Sequence, residues 1–344
     1  MRTLARLAAL WLCVCAAGCG AAPGHGTGGS HHRVGAALDV RPAGAATSDG
    51  AAPRALVVVV GQPRGGELAW TSLRKHVLEP LHADLATYFT DDWQGTLIQR
   101  MSRYRWSVPE PADWGDMVDQ AAASCGVSRV RWSALCDQPH VLGGVQVCGC
   151  ADAACPWQVI PLMYRWLALQ KIEALRLHQR YDWFVLTRSD ELHLCDHPPL
   201  SELDGSHLWL PEGEHYGGWS DRHFVAAAPV FVQAINVTLP ILCNPEEWRQ
   251  KFKEAGGIIN IERVQAQAWR EHGLQVKEFP RTMLTVRAAH DPSRWAAGED
   301  NPALAGHGLK VKYSEELAPA ERTCGTTAGT HLAALQRWHD AANI

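Results

Sequence analysis

The chain is 344 residues long, 47% hydrophobic and 20% charged, with a formal net charge of −4. That balance supplies apolar material for a sizeable core and excludes a disordered or collagen-like chain. No Lys/Arg-rich run interrupts it, so nucleic acid is not an expected partner.

Residues 1–19 open on the basic stretch MRTLAR, followed by apolar and then small residues, which is the layout of a secretory signal. The apolar run is about 13 residues, short of the ~20 that span a bilayer. It reads as a cleaved signal or as a short signal anchor, the latter being the one expected route to a membrane. A lipoprotein signal ending at Cys19 fits less well, because Ala16 stands three positions before it. Residues 20–53 are rich in Gly, Ala, His, Ser and Pro and read as a flexible stem that buries no core. The pair His31-His32 falls in this solvated stretch. Residues 54–344 form the folded part.

Order begins at Ala55-Leu56-Val57-Val58-Val59-Val60, a continuous apolar run closed by Gly61 that predicts a buried parallel strand. The loop Gly61-Gln62-Pro63-Arg64-Gly65-Gly66 follows. Its glycines let backbone approach a ligand, and Arg64 has the forked geometry for phosphate oxygens. A plain strand-to-helix turn with a surface arginine is the other reading. The loop is neither a dinucleotide fingerprint nor a P-loop. Apolar spacing then predicts a helix over 68–81 and a strand over 83–89, together a βαβ unit.

Residues 100–157 read as an irregular, disulfide-stapled insertion, since they hold Cys125, Cys136, Cys148, Cys150 and Cys155. The spacing of the last three lacks the second knuckle of a zinc site. A long helix is expected over 161–179, then a strand over 181–187 that ends in Arg188-Ser189-Asp190-Glu191. Carboxylates at a strand end suit a hard divalent cation, Mn²⁺ or Mg²⁺, which makes Asp190 and Glu191 candidate ligands. Arg188 is a candidate phosphate contact; a turn closed by a salt bridge accounts for the same residues. His193, Cys195 and His197 suit a disulfide-held loop better than a zinc site.

A strand over 207–210 leads into the segment from Glu212 to His223, dense in carboxylates, glycine and aromatics. Glu212, Glu214, Tyr216 and Trp219 are candidate contacts to a sugar acceptor. An apolar helix is expected near Phe224. Asp221 is then either its N-cap or a base taking a proton from an acceptor hydroxyl, as suits an inverting transfer. Asn236-Val237-Thr238 is a glycosylation sequon. A helix over 261–272 and strands over 274–279 and 283–286 follow. His290 is a candidate to complete a metal shell, with a partly buried structural histidine as its other reading; Arg281 and Arg287 are further phosphate candidates. Of 11 cysteines, Cys13, Cys15 and Cys19 lie in the signal, and an even number remains for disulfides in an oxidising compartment. The expected fold is α/β, an open and mostly parallel sheet flanked by helices, with ligands at the carboxyl ends of its strands.

Taken in order, LVVVVGQPRGG, YDWFVLTRSDELHLCDHP, LWLPEGEHYGGWSDRHFV and GLQVKEFPRTMLTVR resemble glycosyltransferases of the GT-A type found in green algae, related protists and large algal viruses. The resemblance runs from about Leu56 to Trp295, with the cysteine-rich insertion and both ends outside it; the strand ending in Arg-x-Asp and the later Gly-Gly-x-x-Asp-Arg-His are its most telling parts. It implies a nucleotide-sugar donor and a glycan or glycoprotein acceptor, in the Golgi lumen or after secretion. By the same resemblance Asp190, and less directly Glu191, would hold the metal, Arg64 would contact the donor, and Asp221 would serve as base or orient the acceptor. The sequence departs from the family's Asp-x-Asp pair: position 188 is Arg. A non-catalytic carbohydrate-binding or structural protein on the same fold is the alternative. A sulfotransferase-like enzyme would need the Lys and Ser/Thr of a phosphosulfate loop, which the Gly61–Gly66 stretch lacks.

Overall fold

The computed structural model describes residues 53–90, 93, 95–111, 113–137, 159–256, 260–288, 291 and 298–341. The signal, the stem up to residue 52, the cysteines at 148, 150 and 155, and His290 lie outside the described residues.

β1 (Ala55–Gly61) is paired in parallel with β2 (Asp84–Thr90) on one side and β4 (Trp183–Thr187) on the other. Its continuous apolar run has a simple cause, since both of its faces are covered. Leu56 and Val58 point into one apolar core and Val57 and Val59 into a second. Along β4, Phe184 and Leu186 join the first core while Trp183 and Val185 join the second. A strand buried on both faces has no polar positions to alternate.

The main sheet has seven strands in the order β3-β2-β1-β4-β7-β6-β8, completed by β3 (Tyr104–Val108), β6 (Leu208–Pro211), β7 (Phe224–Ala227) and β8 (Val276–Phe279). All its pairings are parallel except the two made by β7. The mostly parallel α/β architecture expected from the sequence is therefore present. A second sheet of three strands joins β5 (Glu191–His193), β9 (Met283–Ala288) and β10 (Leu309–Val311), in the order β10-β9-β5 and antiparallel throughout.

Three expectations are corrected. The stretch near Phe224 enters the sheet as β7, and its helix begins only at Ala228 (Ala228–Ile235), with proline in its first turn. Pro229 would have broken a helix begun at 224, because an interior proline loses a hydrogen bond and clashes with the preceding turn. Asp221 therefore caps no helix. Residues 100–137 are not irregular: β3 is the sheet edge, and helix Trp114–Ala123 buries Trp114, Met117, Val118, Ala121 and Ala122. Nor is this stretch stapled only to itself, since Cys125 bonds Cys243 across 118 residues. Cys195 bonds Cys324, so the loop from Leu194 to His197 is held by a disulfide, while His193 ends β5. Two such bonds suit a protein of the secretory pathway. Among the described residues no helix is long and apolar enough to cross a membrane.

Candidate functional site

In the main sheet the chain moves from β1 outward to β2 and β3, then returns to the other flank of β1 as β4. The β1/β4 boundary is a topological switch point, where an open sheet leaves a crevice beyond its strand ends. β7 runs opposite to its neighbours, so the residues entering it, Asp221 to His223, lie at that same end of the sheet. The three polar clusters singled out in the sequence thus share one edge.

The first two clusters interlock. The backbone N–H of Arg64 donates to Ser189 Oγ at 2.8 Å, and that hydroxyl donates to the Gln62 carbonyl at 2.9 Å. Gly65 has φ +79°, and a Cβ there would lie 2.9 Å from Asp190 Cα and 3.0 Å from the Ser189 carbonyl. Only glycine lets the two loops close this far. The Gly65 N–H donates to Asp291 Oδ2 at 2.9 Å, which also accepts from Ala288 N at 3.0 Å. Arg64 Nη2 donates to Gln62 Oε1 at 2.7 Å, while its Nε is buried without a partner.

Arg188 grips Asp190 with a two-pronged fork, Nε to Oδ1 at 2.8 Å and Nη2 to Oδ2 at 2.6 Å. Lys312 Nζ adds a 3.4 Å contact to Oδ2. The Asp190 side chain is 3% exposed and that of Arg188 24%. Burial opposes ionisation of Asp190, but Arg188 and Lys312 outweigh it and hold the carboxyl well below the usual carboxylate range. Burial, then the neighbouring Arg188, brings Lys312 down to about 8. Lys312 reaches this place through the second sheet. β10 pairs with β9 and β9 with β5, and Lys312 N bonds the Thr285 carbonyl at 2.9 Å.

Glu191, the first residue of β5, is buried. It accepts from Thr285 Oγ1 at 3.1 Å. Burial, with Glu316 and Asp190 beside it, pushes its carboxyl up to about 8. Glu316 is itself buried between Arg222 Nη1 at 2.8 Å and Arg281 Nη1 at 3.2 Å, and it accepts from Thr285 N at 2.6 Å.

The donor set therefore fits the implied Mn²⁺ or Mg²⁺ poorly. Both oxygens of Asp190 are engaged by Arg188, and Glu191 is a largely neutral carboxyl. Among the described residues, no three side chains of metal-binding type gather at one place.

The third cluster is fixed by helix Ile261–Glu271. A Cβ on Gly218 would lie 2.2 Å from the main chain of Glu262, so the loop rests directly on the first turn of that helix. Trp219 N bonds the Glu262 carbonyl at 3.1 Å, and Asn260 Nδ2 bonds the Tyr216 carbonyl at 2.9 Å. Asp221 is half-buried, and its carbonyl accepts from Arg165 Nη2 at 3.0 Å. Burial, and after it the charge of Asp221, raises Glu262 to about 7. Tyr216 bonds Glu315 through its hydroxyl and stacks with Arg222, whose guanidinium lies 4.9 Å from its ring and 4.2 Å from that of Tyr313. Trp219 is half-buried against the core, so only part of its ring is free to stack on a sugar. Glu212 and Glu214 are exposed. Asn236 is half-buried at the end of its helix, and the sequon hydroxyl of Thr238 is buried, donating to the Leu162 carbonyl at 2.7 Å.

No protein-family model matches this chain, and no curated protein does. The sequence reading missed Lys312, Tyr313, Glu262 and Glu316. The alternation Leu309-Lys310-Val311-Lys312 is a short strand signal, and it was the available clue to the first of these.

Proposed function

We propose that the chain is a glycosyltransferase of GT-A type, moving a sugar from a nucleoside-diphosphate donor to a hydroxyl of a glycan or glycoprotein in the secretory pathway. The observation that carries this reading is the pair of interlocked loops at the β1/β4 switch point. They set Arg64 and Arg188 side by side, with Lys312 behind, at the sheet edge where Asp221 also lies. Three cations gathered at these strand ends, where open sheets bind their ligands, suit the charge of a diphosphate.

The acceptor oxygen attacks the anomeric carbon of the donor sugar. A new C–O bond forms as the bond from that carbon to the diphosphate oxygen breaks. The electron pair leaves on the nucleoside diphosphate, and the acceptor proton passes to the Asp221 carboxylate. Arg64 and Arg188 stabilise the negative charge that builds on the leaving group. Glu262 shares the neighbourhood of Asp221. Tyr216, Glu212, Glu214 and the free edge of Trp219 border the acceptor side.

The test is a thermal-shift and turnover measurement on the full chain with UDP, GDP and their sugars. Binding to the native state raises apparent stability with ligand concentration. Asp221→Asn is expected to keep the nucleotide shift and to lower turnover about 10²- to 10⁴-fold. Full turnover in that variant removes Asp221 from the chemistry. No shift with any nucleotide, in a protein that melts cooperatively, turns the reading to a carbohydrate-binding protein.

A further inference from the structure

Resting on the reading of the β1/β4 crevice as a nucleoside-diphosphate site, we propose that Lys312, with Arg188 and Arg64, neutralises the diphosphate directly, so that the protein binds it without a divalent cation. Asp190 is then a positioning residue, which aims Arg188 and Lys312 rather than ligating a metal.

The charge count at the site favours an anion over a cation. Arg188 and Lys312 contact the buried carboxylate of Asp190, and the charge of Arg64 also acts on it. The carboxylate of Asp291 also acts on Arg64 while accepting from the backbone amides of Gly65 and Ala288, so the three cations outnumber these two carboxylates by one. A divalent ion at Asp190 would have to break the Arg188 fork and then sit among three positive groups. Repulsion between like charges at such range is large wherever water is scarce. An anion meets the opposite situation, because the excess positive charge is already there.

The geometry also leaves donors for it. Lys312 has three N–H groups, and its one contact to Asp190 is 3.4 Å long, well beyond the ~2.8 Å of a strong charge-assisted bond. Arg64 Nε is buried without a partner. Buried donors of this kind are nearly always satisfied, so a ligand atom there is the natural complement. Tyr313, next to Lys312, stacks on Arg222 and bridges this crevice to the segment that holds Tyr216 and Asp221.

The experiment titrates UDP and GDP into the full chain by calorimetry, once in EDTA and once in excess Mn²⁺. The proposal expects one nucleotide to bind with the same affinity in both. Lys312→Met should weaken that binding about 10- to 100-fold, and Lys312→Arg should restore most of it. Asp190→Asn should still bind in EDTA. Binding that needs Mn²⁺ and disappears in Asp190→Asn overturns this inference while upholding the donor site. Unchanged binding in Lys312→Met also overturns it. No binding of either nucleotide under either condition removes the donor reading itself, and this inference with it. The comparison of EDTA with Mn²⁺ uses the unmodified protein, so it stands whether or not a variant folds.

Discussion

The two sheets are stabilised in opposite ways. The central strands of the larger one, β1 and β4, are apolar along almost their whole length and are buried on both faces by aliphatic and aromatic side chains. The smaller one, β5-β9-β10, gathers ionisable groups in its interior. Glu191 and His193 lie on β5, and Lys312 and Glu316 follow β10, all of them buried. The difference teaches that apolar packing and buried charge have been separated. The large sheet holds the frame, while the small sheet buries charge at some expense in stability and, by doing so, holds Arg188, Lys312 and Arg222 in place. Buried charges are tolerated only when paired, and pairing fixes their direction.

Acid should break the comparison most severely. Five histidines surround the small sheet, His76, His193, His197, His223 and His331, and all are buried. Burial, reinforced among several of them by mutual repulsion, lowers every one, His197 and His331 to about 4. Each is neutral in the fold and takes up a proton on unfolding, so stability is full above about 6.5, the unfolded value, and falls as pH drops towards 4. Each proton contributes up to about 1.4 kcal/mol per pH unit, and several together rival the ~5–15 kcal/mol that holds a typical domain. Denaturant melts at pH 7, 5.5 and 4 should therefore show the protein unfolding in mild acid. A flat profile would mean that these imidazoles are solvated.

The next largest effect is expected at Glu316. Glu316→Ala leaves Arg222 and Arg281 buried without their shared partner, a loss of about 3–5 kcal/mol, read as a lower urea midpoint. The disulfides sharpen the contrast, because each region has one. Replacing either pair by alanines should lower stability by about 2–4 kcal/mol. Removing Cys195–Cys324, beside β9, should also weaken nucleotide binding. Removing Cys125–Cys243, which ties the end of helix Trp114–Ala123 to helix Thr238–Cys243, should not. An effect of the opposite sign, small only near pH 5, is expected at Glu191. Glu191 is held at about 8 in the fold against 4.5 outside it, so it holds a proton that unfolding releases, and it loses stability as pH rises between those values. Glu191→Gln cannot ionise and should be more stable, by an amount that grows with pH by at most about 1.4 kcal/mol per unit. Melting temperatures at pH 5 and pH 8 check it.

Much of the frame was legible in the residues. The valine run of β1, the apolar run of β4 and the glycines between β1 and its helix all follow from local rules, as does the helical spacing of Ile261, Val264, Ala268 and Trp269. These fixed the mostly parallel α/β class and the placing of Arg64 and Arg188 at strand ends. Phe224 to Ala227 was misread as the start of the helix that follows, because an apolar run has no period to separate strand from helix; Pro229 was the unused clue. Three things were settled only by tertiary structure: the meeting of Lys312 with Asp190 across 122 residues, the burial of Glu191 beside Glu316, and the closeness of Gly65 to Asp190. The physical reason is range. Burial and hydrogen-bond periodicity act over a few neighbours in sequence, whereas the charge on a buried carboxylate is decided by whichever distant side chain packs against it.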